Sequence, residues 1–155
     1  MTDKLISATT TVEAPPHLVF AILTDPRQHA RIDGSGSVGA VIDAPERLAA
    51  KGDTFTVHMK MFGLPYKIHN TVVEYDEDRR IAWRHFGGHR WRYELSLTDD
   101  GGTQVTETFD YSRYDALRSM VIRVTGFPER NRRGINATLA RLKDAAEADA
   151  VERAR

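Results

Sequence analysis

Apolar and polar positions alternate along much of the chain, and where alternation gives way to a three-and-four spacing the elements change type. Residues 5–12 set Ile6, Ala8, Thr10 and Val12 on one parity, which predicts a strand that Pro15-Pro16 ends. A helix starts near Pro16, a residue suited to a first turn, with Leu18, Val19, Ile22 and Leu23 as its apolar stripe up to Asp25-Pro26. Asp25 is placed to cap a second short helix reaching about Arg31. Gly34-Ser35-Gly36 then breaks the pattern, and the stretch to Lys51-Gly52-Asp53 reads as loop with one short strand around 38–42.

From Thr54 onward strand patterns follow one another, with turn signals at Gly63-Leu64, Asp76-Glu77-Asp78, Gly87-Gly88 and Asp99-Asp100-Gly101-Gly102. Five strands in an antiparallel meander account for them. If the first turn pairs Phe62 with Pro65, then Phe55, Val57, Met59 and Met61 share a face with Tyr66, Ile68, Asn70 and Val72. Thr56, His58, Lys60, Lys67, His69 and Thr71 take the other face. The dry face continues through Ile81, Trp83 and His85, then Trp91, Tyr93, Leu95 and Leu97, then Val105, Glu107, Phe109 and Tyr111. Arg90, Arg92, Glu94, Gln104, Thr106 and Thr108 form the wet one.

A sheet with one dry face needs a cover. Residues 129–148 supply it as a helix on which Ile135, Leu139, Leu142 and Ala146 recur at helical spacing. Residues 115–124 add a further helical piece with Leu117, Met120, Val121 and Val124 as its apolar side. Residues 148–155 carry no stripe and are expected to fray.

Composition narrows the class. At 155 residues the chain suits one domain, 1–155, with an ordered core of about 5–147. Twenty-two basic and 22 acidic side chains balance, so no overall field draws nucleic acid or anionic membrane. Without cysteine there are no disulfides or thiolate ligands. No leader pattern or spanning apolar run is present, so a cytoplasmic protein without integral membrane association is the expectation.

Several motifs bear on chemistry. Gly34-Ser35-Gly36-Ser37-Val38-Gly39 matches a GxGxxG string with Asp53 downstream, but a helix precedes it and loop follows, the wrong context for a dinucleotide fingerprint. His58 and His69 fall opposite each other in the register above, beside Lys60 and Lys67; with no third ligand of fixed spacing they read as a solvated pair, and no metal is expected. His17, His29 and His89 give no constellation. The arginines Arg118, Arg123, Arg130, Arg132 and Arg133 read as a solvated helix face, or as an attractor for an anionic head group or phospholipid surface.

Asn70, His85 and Glu107 stand out because each sets a polar group on the dry parity. Burial raises a carboxyl pKa and lowers that of histidine, so His85 and Glu107 are the catalytic candidates, as a poised acid/base pair if they meet. Asn70 or a tyrosine would then hold an enolate oxygen. The alternative is that Glu107 pairs with an arginine such as Arg113 or Arg132 while His85 sits at a strand end in water.

Val12-Glu13-Ala14-Pro15-Pro16 with Val19-Phe20, Leu23 and Asp25-Pro26, then Gly52-Asp53-Thr54-Phe55, Arg80-Ile81-Ala82-Trp83, Trp91-Arg92-Tyr93-Glu94-Leu95 and Gly102-Thr103-Gln104-Val105-Thr106-Glu107 together carry a resemblance. Over about residues 5–147 the chain resembles the START-related, pollen-allergen-like helix-grip superfamily (SRPBCC), in its polyketide cyclase/dehydrase-like branch. The resemblance implies an α+β helix-grip fold: a curved antiparallel sheet wrapped around a long C-terminal helix, with two short helices after the first strand. It also implies a cavity between sheet and helix, and carries over no catalytic residue and no cofactor. One fold hosts many functions. The first expectation is a module binding a small hydrophobic molecule, lipid or polyketide-like, with Tyr66, Ile68, Trp83, Trp91, Tyr93, Phe109, Ile135 and Leu139 as walls and Asn70, His85 and Glu107 orienting it. The second is a cyclase or dehydratase using the same cavity. A third is a protein-interaction domain whose pocket has collapsed.

Overall fold

The computed structural model describes residues 5–154 apart from Phe62, Phe86, Gly87 and Thr125, and leaves the side chains of Met61, Ser119, Ile122, Arg123 and Phe127 undescribed. Strand β1 (Leu5–Val12) leads into helix α1 (Pro16–Leu23), a short 3-10 turn (Pro26–Gln28) and helix α2 (His29–Ile32). Strands β2 (Val38–Asp43), β3 (Thr54–Met61), β4 (Leu64–Asp76), β5 (Arg80–Arg84), β6 (Arg90–Leu97) and β7 (Thr103–Asp110) follow, then helices α3 (Ala116–Val124) and α4 (Phe127–Arg153). All seven strands form one antiparallel sheet in the order β1-β7-β6-β5-β4-β3-β2. Helix α4 packs mainly on β1, α1, α2 and β7. This is the α+β helix-grip architecture, with the expected meander as β3–β7.

Local chemistry sets the boundaries. Asp25 accepts from the Arg27 N–H and caps the turn after α1, and Asp115 accepts from the Arg118 N–H at the start of α3. The αL residues Asp78, Gly63 and Gly101 sit in the three hairpin turns expected at those places; the Gly87 part of the remaining signal lies outside the described residues. Gly34 earns its identity by packing rather than by φ: a Cβ there would lie 2.4 Å from the Ala137 Cβ and 2.5 Å from the Thr138 nitrogen. The GxGxxG string therefore serves to bring the loop onto α4 and feed strand β2.

The β3–β4 register departs from expectation by two residues. Met61 pairs with Leu64, His58 faces Lys67 and His69 faces Thr56, whose hydroxyl lies 2.9 Å from the His69 Nδ1. The two histidines are thus not opposed. A shift of two preserves every face, so Phe55, Val57 and Ile68 remain buried and inward. Phe62 itself lies outside the described residues.

A bulge between Val72 and Glu74 then reverses parity. Tyr75 turns inward against Phe20, ring centroids 5.7 Å apart, and Glu74 turns to the outer face. There Ala82 lies between Glu74 and Arg92 in the register, and its small side chain lets the two long ones meet across it. Arg92 donates to Glu74 at 3.0 and 2.7 Å and to Asp110 at 3.1 Å, while Arg90 donates to Glu74 at 2.8 Å. Burial alone would raise the Glu74 pKa, but these arginines outweigh it and hold it at about 2.

The dry face is filled by Val12, Val19, Phe20, Leu23, Ile81, Val105 and the α4 residues Ile135, Leu139, Leu142 and Ala146, all buried. Burying one such side chain is worth about 1.5–3 kcal/mol. Helix α4 continues past Ala148 because its last turns have partners: Arg31 binds Asp149 at 2.9 Å and Ala150 packs on the core. Glu147 accepts from the Glu13 N–H, and Lys143 reaches the Thr11 carbonyl, fixing the helix along β1.

One apolar expectation fails. Leu97, at the end of β6, is exposed, and α3 leaves Leu117, Met120, Val121 and Val124 all exposed. The stripe on α3 is real, but it faces away from the packed core, and α3 itself meets α4. None of the described helices is long and apolar enough to cross a membrane.

Candidate functional site

The sheet's dry face and α4 do not close completely against one another. Between them lies a cavity of about 730 Å³, within the range that holds a small organic ligand. Its inner part is lined by buried residues: Phe55, Val57, Ile68 and Asn70 from β3 and β4, Trp83, Tyr93, Glu107 and Phe109 from β5 to β7, and Ile135 from α4. Its mouth is marked by the exposed Ser35, Leu64, Pro65 and Arg130, with His85, His89 and Tyr114 half-buried beside them.

Of the residues expected as walls or orienting groups, Tyr66, Ile68, Asn70, Trp83, His85, Trp91, Tyr93, Glu107, Phe109 and Ile135 line this space. Leu139 does not; it sits one helical turn further along α4, inside the packed core. The aromatic walls brace one another. Trp83 stacks on His29 with centroids 4.9 Å apart, meets Phe55 edge-on at 5.6 Å and leans on Tyr93 at 5.6 Å, while Trp91 contacts Phe109 at 4.7 Å.

Glu107 is the chemical centre of the inner end. It is 3% exposed, and its Oε1 has no hydrogen-bond partner among the described residues. Tyr93 is its direct cross-strand neighbour on one side and Ala8 on the other. Desolvation pushes the carboxyl up to about 8; the Tyr93 hydroxyl pulls the other way, and the negative charge of Asp33 adds to the rise. Burial and Glu107 together hold the Tyr93 hydroxyl well above its ordinary pKa, so it stays protonated.

The expected arginine partners are engaged elsewhere. Arg113 binds Asp110 at 3.4 Å and Arg132 binds Glu129 at 3.1 Å, and no ion pair reaches Glu107 among the described residues. Asp110 follows the outward-facing parity next to Arg92, which is why Arg113 finds it first. Of the other arginines in that region, Arg133 also lies by Glu129, and the Arg123 side chain is outside the described residues.

His85 does not join Glu107. Its neighbour is His89, with ring centroids 5.3 Å apart, and His89 in turn contacts Phe109 and lies 2.5 Å from the Tyr114 hydroxyl. Burial lowers His85 to about 3, helped by His89, and lowers His89 to about 4. Both rings are therefore neutral at pH 7. Asn70 directs its amide at the carbonyls of Phe55 and Ile68, at 3.4 and 3.5 Å, so its donors are turned to the main chain.

His29, Asp33 and His89 are among the lining residues that escaped the alternation argument, because they lie off the strands' dry parity. His29 on α2 is buried, donates from Nε2 to the Leu23 carbonyl at 2.8 Å, and is held neutral by desolvation against the pull of that hydrogen bond. Asp33 is tied to the Ser35 and Val38 N–H groups at 3.0 and 2.9 Å. His89 sits in the β5–β6 connection. For Asp33 a sequence signal existed, since an acid two residues before a serine in a glycine-rich turn forms such Asx contacts.

The family model described as "Polyketide cyclase / dehydrase and lipid transport" matches residues 4–147. The chain belongs to that family. A curated relative, the uncharacterized protein Rv0088 of Mycobacterium tuberculosis, is 42% identical over 141 residues, covering 90% of this chain and 62% of the relative. The chain thus spans about three-fifths of that relative's length. Among solved structures, protein NE0264 from Nitrosomonas europaea superposes with a TM-score of 0.70 at 18% identity, covering 100% of this chain and 99% of that one. The AHSA1-like protein from Aeromonas hydrophila gives 0.66 at 21% identity, covering 94% and 93%. These two likenesses establish the fold alone.

Proposed function

We propose that this member of the polyketide cyclase/dehydrase and lipid transport family binds one small, largely apolar, uncharged molecule in the cavity between sheet and α4. The observation that carries the reading is the cavity itself: about 730 Å³ with aromatic and aliphatic walls. The buried His29 and Glu107 and the half-buried His85 and His89 are all shifted toward their neutral forms. An interior without charge on these groups favours an uncharged guest, because an ion would lose its hydration without gaining a counter-charge. Tyr66, Ile68, Trp83, Trp91, Tyr93, Phe109 and Ile135 are the proposed walls. A protein-interaction domain with a collapsed pocket fits this geometry poorly.

A second reading, a cyclase or dehydratase in the same cavity, is favoured by one observation. A carboxyl whose pKa lies near 8 can both hold and release a proton close to neutral pH. Glu107 with Tyr93, rather than with His85, would then be the reacting pair. Native and denaturing mass spectra of freshly purified protein test the first reading: a retained apolar compound, released on denaturation, is expected. Repeated recovery of clean protein, together with no saturable uptake of added apolar compounds, would sink it. Glu107→Gln separates the two readings, since a binding protein keeps its ligand and an enzyme loses turnover.

A further inference from the structure

The inner end of the cavity holds a feature that apolar binding alone does not use. Glu107 is 3% exposed, faces the cavity, and leaves Oε1 without a partner among the described residues. A buried polar oxygen left unmatched costs on the order of 1–3 kcal/mol, so such groups are normally paired unless something arrives to pair them. The sheet builds the gap deliberately in its register: Ala8 on one side is too short to fill or partner it, and Tyr93 on the other engages the same carboxyl.

Resting on the cavity-binding reading, we infer that Glu107 and Tyr93 form a polar anchor at the closed end of the cavity. The anchor takes an uncharged oxygen function, a carbonyl or hydroxyl, borne by the buried end of an otherwise apolar ligand. An anionic end is disfavoured there, because Asp33 lines the same cavity and acts on Glu107 as a negative charge, and no ion pair brings a cation to Glu107 among the described residues. Helix α4 sets the apolar Ile135 and the neutral Thr138 along the lining, and its Arg130 stands exposed at the mouth. A carboxylate or phosphate on the ligand would therefore lie outward. A cationic end is the competing chemistry, since an amine would ionise Glu107 and pair with it; the uncharged end is favoured because burial keeps that carboxyl protonated, with an O–H to give.

The two chemistries oppose each other in pH. Between pH 7 and 9 His29, His85 and His89 are neutral and Tyr93 and Tyr114 stay protonated, while Glu107, pushed up to about 8, changes its charge in that range. A ligand that needs the protonated carboxyl weakens about tenfold between pH 7 and 9, whereas a cationic one tightens. Dodecan-2-one and dodecylamine, matched in chain length and kept below their aggregation limits, serve as probes, followed through the fluorescence of Trp83 and Trp91.

The expected result is saturable ketone binding that is tighter than amine binding at pH 7 and falls about tenfold by pH 9. Glu107→Gln, whose amide still donates, keeps the ketone and flattens its pH dependence. Glu107→Leu weakens the ketone by about 3- to 10-fold, the worth of one hydrogen bond. Ketone binding that is indifferent to pH in the wild type, or an amine that binds better and tightens with pH, overturns the anchor while leaving the cavity reading intact. Absence of saturable binding by either probe overturns both.

Discussion

Replacing Glu107 by glutamine should stabilise the protein, and by an amount that grows with pH. The carboxyl's ordinary pKa of 4.5 rises to about 8 in the fold. Between those values the folded state retains a proton that the unfolded chain has lost, so each pH step upward favours unfolding; stability falls from about pH 4.5 and levels off above about pH 8. At 1.36 kcal/mol per pH unit the full interval is worth about 5 kcal/mol, of which about 1 is felt at pH 5 and about 4 at pH 8. Glutamine has the same shape, keeps a contact for Tyr93 and never ionises. Urea unfolding of wild type and Glu107→Gln at pH 5, 6, 7 and 8 should show a stability gap that widens by about 3 kcal/mol across the series. The histidines act in the opposite sense, because their lowered pKa values cost stability as pH falls below 6.5, but they are common to both proteins and cancel in the difference. A gap independent of pH would refute the reasoning, since it would mean that Glu107 is ionised or unionised to the same extent folded and unfolded.

Other perturbations follow from the same geometry. Asp33→Asn removes the negative charge near Glu107 and should lower the carboxyl's titration midpoint, read by carbon-detected NMR of labelled glutamate; an unchanged midpoint would show that Asp33 does not act on it. Gly34→Ala drives a methyl into the α4 backbone and should destabilise by about 1–3 kcal/mol in urea, with wild-type stability as the contrary result. Glu74→Gln should cost about 1 kcal/mol at pH 7 after solvent screening of its half-buried arginine partners. That cost is present above pH 4.5 and fades as the wild-type carboxyl protonates toward pH 2, so a cost that persists at pH 2 would contradict it.

The fold was legible because a period of two writes each strand's two faces directly into the sequence, and the parity of Phe55, Ile68, Trp83, Tyr93 and Phe109 carries through to their burial. The same property hides registers: Met61 opposite Leu64 and Phe62 opposite Pro65 put identical residues on identical faces, so His58 and His69 could be paired wrongly without disturbing the core. Val73 is the residue by which β4 gains its bulge, and nothing in its neighbours' polarity marks it. Glu107 was visible as an acid on a dry parity. His29 and Asp33 were not, because they reach the cavity from a helix and a turn whose placement depends on the packing of Gly34 against α4. The stripe of α3 shows the reverse limit, since helical spacing of Leu117, Met120, Val121 and Val124 predicts a face and not what covers it.

The location of binding tests the central claim most directly. Methyl NMR of protein labelled at isoleucine, leucine and valine, titrated with dodecan-2-one, reads each site separately. Binding in the cavity should move Ile32, Val57, Ile68 and Ile135 together along one saturable curve, while the packed Val12, Val19, Leu23 and Leu142 stay in place. Shifts confined to Leu117, Val121 and Val124 on the exposed face of α3 would contradict the account, for they would mean that apolar molecules adsorb to the surface and leave the cavity empty.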